Sequence, residues 1–561
     1  MPRTNETNHQ KETYLQAGQY LLEQFSMPAL RSHATVAVVD RNRIQFYHAT
    51  HSVILVTSAI AFSAFDDEDG LNKFIAIVMA FNRLSLEDNG ILHELPNGPH
   101  FKDNEKVMTR AVDRKDTKAL RIQEGNQLEF LGRRKTQNFT LTFGKLISRE
   151  PSLAGRSTVV FHAVTKRWSK LDLVAKISWP GAKRVAENEF LRKATSEAKG
   201  THRWALNHLP RTLYFQDVVF KNDSVFENVV ELFDSEDLEL VNGGFNYEER
   251  VLRIIIQERL YPLSTLTDAR EVAQVLVDIM CSVYFHSIPI HSMLTPVCSV
   301  HWWLYEHVGI LHRDLSINNI MCRKMRGKVY GVLVDYDLAS WKDDLGKNYK
   351  KTSEQRTGTP PFMAHGLLEG TDPLHLYRHD LEALFYVMLI LATRYEIGTG
   401  GIKGRLPAKG QTLDFQCWFD AVDYERLAAT KARFFTKAGK YDVSPSFRGF
   451  YDWLRRLRAS FVGGFQASEQ YEFDKDQRSL LPAGAPGQAE EMAAFDHETL
   501  GGYVTYSAFI VSTRALTGNL EGLIIRGSPP TGAVKAQVEA VIGRNTRNKG
   551  GRRGGSGKRK N

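Results

Sequence analysis

The sequence predicts an α+β protein in which a strand-rich part precedes a helical part. Three observations carry this. Between Phe139 and Leu260 the apolar residues fall in short runs such as Val174-Ala175-Lys176-Ile177 and Ile254-Ile255-Ile256, the pattern of buried strands. From Glu271 the spacing turns helical, with Val272, Val275, Leu276, Ile279 and Met280 on one face, and Arg378 to Tyr386 begins a second, strongly buried helix. Strands followed by helices, rather than strict alternation of the two, define the α+β class. The chain has 561 residues and is 42% apolar, enough to bury a sizeable core.

Residues 1–138 read as an N-terminal α/β extension. Arg43 to Tyr47 and Val53 to Thr57 look like strands, and a helix is expected from Gly70 to Ser85. The apolar run Ser52 to Phe65 is too short to cross a bilayer and is read as a buried strand or helix, so no membrane partner is expected. Asp103 to Arg121 is highly charged and reads as a surface connection. The first residues lack an apolar signal segment, and Cys281, Cys298, Cys322 and Cys417 have neither metal-ligand nor redox spacing. The expected location is intracellular, in cytoplasm, nucleus or both.

The net charge of +9 belongs mostly to the C-terminus. Eight Lys/Arg and no acid follow from Arg544, so the rest of the chain carries +1. Residues 524–561 are expected to form a disordered, basic, Gly-rich tail. Its expected roles are a solvated end, a nuclear import signal or a weak nucleic-acid contact.

The chemistry concentrates further in. His312-Arg313-Asp314-Leu315-Ser316-Ile317-Asn318-Asn319 is followed by Val334-Asp335-Tyr336-Asp337. In this order they supply a base-like Asp314 and two oxygen ligands, Asn319 and Asp335, suited to Mg²⁺. That is the minimal equipment for moving a phosphoryl group from Mg-ATP to a hydroxyl. Upstream, Gly155 and Val160 match the second Gly and the Val of a G-x-G-x-x-G-x-V phosphate loop, although Leu153 and Thr158 occupy the other two Gly positions. Lys176 follows at a suitable distance on an expected strand. Glu187, with Glu189 as competitor, is the candidate carboxylate to aim its ammonium at the phosphates. The strand Ile254 to Leu260 offers backbone at Glu258 and Leu260 to meet adenine.

The triplet Cys-Ser-Val occurs at 281–283 and again at 298–300. Removing one copy with the residues between leaves Val300, Trp303, Leu304 and Val308 in phase with the preceding helix. Residues 283–299 are therefore read as an insertion, derived from an unspliced short intron or, alternatively, forming a surface loop. A second insertion is expected at 396–490. Within it Gly398 to Gly410 reads as a loop, 412–465 as helical and aromatic-rich, and Leu480 to Gln488 as a linker.

These motifs resemble those of the eukaryotic protein-kinase-like superfamily, and more closely the fungal-type protein kinase family. The likeness rests on Ile177-Ser178-Trp179-Pro180, His312 to Ser316, Val334 to Ala339 and Gly358-Thr359-Pro360-Pro361-Phe362-Met363-Ala364, and on His51 to Val56 and Ala80 to Ser85 in the extension. It implies a bilobal fold over 139–523, with a strand-rich small lobe at about 139–260 and a helical large lobe at about 261–523. It implies ATP and Mg²⁺ as cofactors, an unidentified protein substrate and Ser/Thr-type transfer. Lys176, Asp314, Asn319 and Asp335 would be the catalytic set, Asn319 and Asp335 the metal ligands, and Asp380 the helix residue that holds the catalytic-loop backbone. Tyr349, Thr352, Ser353 and Thr357 would be candidate phosphorylation sites beside Arg313.

Three departures keep other readings open. Ser316 stands where such kinases carry a Lys. Asp337 replaces the Gly of Asp-Phe-Gly. His365-Gly366 replaces Pro-Glu after Ala364, so the ion pair that usually anchors the activation segment is expected to be absent. A catalytically impaired scaffold is the main alternative, and a small-molecule kinase the lesser one.

Overall fold

The computed structural model describes residues 8–27, 30–40, 43–61, 68–85, 88–92, 100–101, 123–130, 138–218, 248–280, 299–344, 358–370, 374–407, 409, 411–420, 423–436, 441–480 and 492–520. The basic tail, nearly all of the 283–299 insertion, the charged connection after Asp103, the 480–488 linker beyond Leu480 and the four candidate phosphorylation sites lie outside the described residues. The fold is a mixture of helix and sheet, and it separates into two compact units. One comprises Met1–Arg184 and Arg211–Arg259, the other Val185–Pro210 and Leu260–Asn561.

The first unit is built on a seven-stranded sheet. Its strands are β5 (His100–Phe101), β6 (Gln127–Phe130), β7 (Phe139–Glu150), β8 (Thr158–Val164), β9 (Leu173–Ser178), β10 (Thr212–Val218) and β11 (Leu252–Glu258), in the order β10-β11-β9-β8-β7-β6-β5. Neighbouring strands in it pair antiparallel. One face is apolar and buries Leu128, Phe130, Leu141, Phe143, Phe161, Ala175, Ile177, Trp179 and Ile254 together. The period-2 alternation of β8 makes this possible, since Phe161 and Ala163 point into that core while their neighbours do not.

The extension adds a second, smaller sheet and two helices. The helix α1 (Asn8–Ser26) buries Ala17, Leu21 and Phe25 against Ala34, Tyr47 and Ala49 from β1 (His33–Asp40) and β2 (Arg43–Thr50). Beyond them come β3 (Ile54–Val56), β4 (Ile60–Ala61) and α2 (Glu68–Arg83), the last close to the expected helix. The Ser52 to Phe65 run differs from its expectation of burial. Its described part forms two short strands against β2, and Ile54 and Val56 are exposed because nothing described packs on their other side.

The extension is tied to the large sheet by buried imidazole. His51 stacks on Trp179 with ring centroids 4.3 Å apart and donates from Nε2 to the Arg31 carbonyl at 2.9 Å. Burial drives its pKa down from 6.5 to about 3, and burial drives His48 to about 4. Both values lie below the unfolded one, so the unfolded chain takes up these protons first. Stability is therefore complete above about pH 6.5 and falls as acid is added. At pH 5 His51 alone is expected to cost about 2 kcal/mol, 1.36 kcal/mol for each unit below 6.5. Thermal melts at pH 7.5 and 5, followed by Trp emission, check this. His51→Gln should flatten the slope, and an equal slope in that variant would refute the assignment.

The second unit is helical, with three small sheets among the described residues. Its spine is α7 (Tyr377–Arg394), whose residues from Tyr377 to Thr393 are all buried, as the sequence pattern predicts. Around it lie α3 (Glu187–Glu197), α4 (Ala269–Met280), α5 (Val300–Trp303), α6 (His365–Glu369), α8 (Gln416–Asp420), α9 (Tyr424–Thr436), α10 (Tyr451–Ser479) and α11 (Tyr506–Ser512). The strands are β12 (Tyr261–Pro262), β13 (Ile310–Leu311), β14 (Ile320–Met325), β15 (Lys328–Leu333) and β16 (Ser340–Trp341). Gly331 of β15 lets α4 approach closely, since a Cβ there would lie 2.5 Å from the Val275 carbonyl oxygen. Ser299, the last residue of the expected insertion, donates from Oγ to the Ile279 carbonyl at 2.5 Å and caps α5.

The expected loop at Gly398 to Gly410 is in part a hairpin of β17 (Tyr395–Gly398) and β18 (Gly401–Gly404). Three glycines masked its strand pattern. One of them, Gly401, has φ +114° and would place a Cβ 2.1 Å from the Ser264 carbonyl oxygen. Among the described residues no helix is long and apolar enough to cross a membrane.

Candidate functional site

The second unit concentrates the polar chemistry in the turn that follows β13. This turn is held from below by Asp380 of α7. His312 N–H donates to Asp380 Oδ2 at 3.2 Å, and Arg313 N–H reaches both carboxylate oxygens, at 3.2 and 3.1 Å. Arg313 has φ +69°, a left-handed conformation that costs a non-glycine residue about 1 kcal/mol or more. Two imidazoles complete the acceptor's shell. His301 Nε2 donates at 2.9 Å and His375 Nε2 at 3.0 Å, while Tyr506 Oη–H donates to His301 Nδ1 at 2.9 Å. Burial alone would raise the Asp380 carboxyl, but the hydrogen bonds from His301 and His375 hold it well below 3.8.

His312 packs rather than reacts. Its Nε2 donates to the Val334 carbonyl at 3.0 Å, and burial holds its pKa below 6.5. This bond joins the segment that carries Asp314 to the residues between β15 and Asp335. The side chain of Asp314 is then set by two neighbours. Asn319 Nδ2 donates to Asp314 Oδ2 at 3.0 Å and to its carbonyl at 2.8 Å. Thr359 donates to Oδ1 twice, from N–H at 3.0 Å and from Oγ1 at 2.9 Å. The Asn319 amide nitrogen is thereby committed to Asp314, which leaves its carbonyl oxygen as the atom suited to a cation.

Glu187, Asp335 and Asp337 form a cluster in which one carboxylate oxygen from each lies within 4.8 Å of the others. Glu187 and Asp337 are buried, and Asp335 is half-buried with φ +64°. Glu187 reaches this place because the segment after α3 is bolted to the β14–β15 pair. Arg323 donates to the carbonyls of Asn207 at 2.5 Å and Leu209 at 3.0 Å, and His208 Nδ1 to that of Gly331 at 2.7 Å. Three carboxylates this close repel unless a cation lies among them, and oxygen-only donors fit a hard divalent ion such as Mg²⁺. Glu189, the competing acid, is exposed. Leu260 sits in a small apolar cluster with Met321, Val332 and Val334, immediately flanking Asn319 and Asp335 in sequence.

The segment after Thr359 has its own support. Lys431 of α9 is fully buried and donates from Nζ to the carbonyls of Met363 at 2.5 Å and Pro360 at 3.3 Å. Its ammonium lies 4.3 Å from the Tyr386 ring centroid and 5.1 Å from that of Trp418. Burial lowers its pKa to about 7, with the Glu382 charge opposing. Glu382 accepts from Tyr386 Oη at 2.6 Å and from His365 N–H at 2.8 Å. Burial would raise it, but His365 and Tyr386 hold it at about 2.

The other expected site residues stand in the first unit. Lys176 is buried on β9 and is registered against Val160 of β8 on one side and Ile255 of β11 on the other. Glu258 ends β11, where its N–H donates to the Arg211 carbonyl at 3.0 Å. Gly155 lies between β7 and β8. Its N–H, the group expected to face phosphate, donates to the His51 carbonyl at 2.8 Å. Leu153 packs onto the α1 cluster. The extension thus holds this loop where three glycines would leave it loose.

The sequence pattern of the family described as fungal protein kinase matches residues 1–229 and 290–392, more than half of the chain. The chain belongs to that family of protein kinases. No curated protein matches it. The match includes the extension, which accords with a likeness drawn partly from His51 to Val56 and Ala80 to Ser85. Sequence reasoning missed His301, His375, Tyr506 and Lys431. Only His375, five residues before Asp380, is near a motif, and imidazole at that spacing carries no signal of its own.

Proposed function

We propose that the protein transfers the γ-phosphoryl group of ATP to Ser or Thr hydroxyls of a protein substrate, with Mg²⁺ as cofactor. The observation that carries this reading is the Asp314 carboxylate, fixed on one oxygen by Asn319 and on the other by Thr359 of the segment where peptide would dock. A carboxylate is a weak base, so its contribution is orientation of the acceptor hydroxyl and receipt of its proton as the phosphorus–oxygen bond forms. Lys176 is assigned to the nucleotide phosphates, and Leu260, Met321, Val332 and Val334 to the apolar surface that a base needs. Asp335 and Asp337, with Glu187 and the Asn319 carbonyl oxygen, are the groups that would hold the cation. When bound, Mg²⁺ supplies positive charge to the phosphate oxygens.

One observation favours the scaffold reading. The Gly155 N–H is already engaged by His51, so the loop offers less backbone to phosphate than an ordinary phosphate loop. The test is Mg²⁺-dependent transfer of labelled γ-phosphate to the protein itself and to a mixed Ser/Thr substrate, with Asp314→Ala beside the native chain. Transfer to Ser/Thr that chelation stops and the variant lacks is expected. ATP binding without transfer would establish the scaffold, and transfer only to small hydroxyl compounds the small-molecule kinase.

A further inference from the structure

We infer that Lys431 is the positioning residue that anchors the substrate-docking segment Thr359–Met363, beside the His365–Glu382 pair that holds the start of α6. The role in docking rests on the protein kinase reading above; the anchor itself rests on geometry alone.

The segment needs an anchor at each end. Thr359 is tied to Asp314 by two hydrogen bonds, which fixes the near end. The far end turns through Pro360 and Pro361, neither of which has an N–H to donate. Lys431 Nζ meets two of its carbonyls, that of Met363 and that of Pro360, the latter also accepting from the Met363 N–H at 3.3 Å. Just beyond this end, Glu382 of α7 receives the His365 N–H at 2.8 Å and faces the His365 ring at 3.6 Å.

The walls around Lys431 are aromatic. Tyr386 and Trp418 present their rings at cation–π distance, and the Tyr386 hydroxyl is turned away to Glu382. No carboxylate of the described residues lies within ion-pair distance of Nζ, so both hydrogen bonds are spent on the docking segment. A lysine kept only for packing would cost desolvation with no return, and an apolar side chain would fill the aromatic box better.

The test compares the native chain with Lys431→Met, which fills the box without donating, and Lys431→Gln, which keeps a shorter donor. The Met variant should show a peptide KM raised about tenfold, the loss of one or two hydrogen bonds to a charged donor, with the KM for ATP within about twofold. The Gln variant should fall between. Amide hydrogen exchange at 362–364 should accelerate in the Met variant while exchange in α7 stays unchanged. Unaltered exchange there in a normally melting variant would overturn the anchor. An unaltered peptide KM, or a peptide KM and an ATP KM that rise together, would overturn its role in docking. A native chain that transfers no phosphate would remove the kinase reading and with it the docking role. The exchange measurement would still decide the anchor, and Lys431→Gln supplies it should the Met variant fail to fold.

Discussion

Asp335→Asn is expected to lower Mg²⁺-dependent phosphoryl transfer by about a thousandfold or more, the scale on which enzymes lose rate when one preorganised electrostatic partner of the transition state is removed. The substitution keeps an oxygen in place but removes one of three charges drawn within 4.8 Å. Asp337→Asn and Glu187→Gln should each cost less, about ten- to a hundredfold, because each leaves Asp335 as a charged ligand. The same cluster predicts an effect on stability, since added Mg²⁺ should raise the native melting temperature more than that of Asp335→Asn. Single-turnover transfer across a Mg²⁺ titration, paired with melting curves, reads both. A variant within tenfold of native transfer would remove Asp335 from the metal-binding role.

How much of this was legible beforehand follows from distance along the chain. The Asp314-to-Asn319 segment and Asp335 announce themselves because their spacing is local, and β8, β9, β11, α4 and α7 are legible because apolar periodicity is local too. What supports them is not. Asp380 is held by His301, 79 residues away, and His301 in turn by Tyr506, 205 residues away. Lys431 reads as an ordinary charged residue on an amphipathic helix until α9 is packed against Met363, 68 residues away. The extension is legible only in part. Its strand β2 and helix α2 show their pattern, but α1 and β1 are weakly patterned, and their tie to Gly155 runs through one backbone carbonyl of His51, which no sequence pattern encodes. Gly155 matched a phosphate loop by position, and the structure shows its N–H spent elsewhere.

Asp380→Ala is expected to destabilise the second unit by about 3–5 kcal/mol, the usual cost of removing one partner from a buried charged network. The carboxylate accepts from two imidazoles and from the backbone of His312 and Arg313, and all four donors would be left without it in a place that excludes water. The damage would not stay local. Arg313 is left-handed at φ +69° and is held so by this carboxylate, so its release lets the turn carrying Asp314 relax to an ordinary conformation. Asp380→Asn separates the two effects. It keeps the volume but exchanges an acceptor oxygen for a donor nitrogen facing His301 or His375, so part of the stability should return while transfer remains at least about a hundredfold down, as a misplaced reacting group requires. The pH dependence has a definite sign. The folded carboxyl lies well below its unfolded value of 3.8, so its stabilisation is complete above about pH 4 and is lost only as pH falls through the folded value. Native and Asp380→Asn chains should therefore keep a constant difference in denaturant midpoint between pH 6 and 8. A difference that vanishes in that range, or an Ala variant as stable as the native chain, would show that Asp380 is not the post on which the catalytic turn stands.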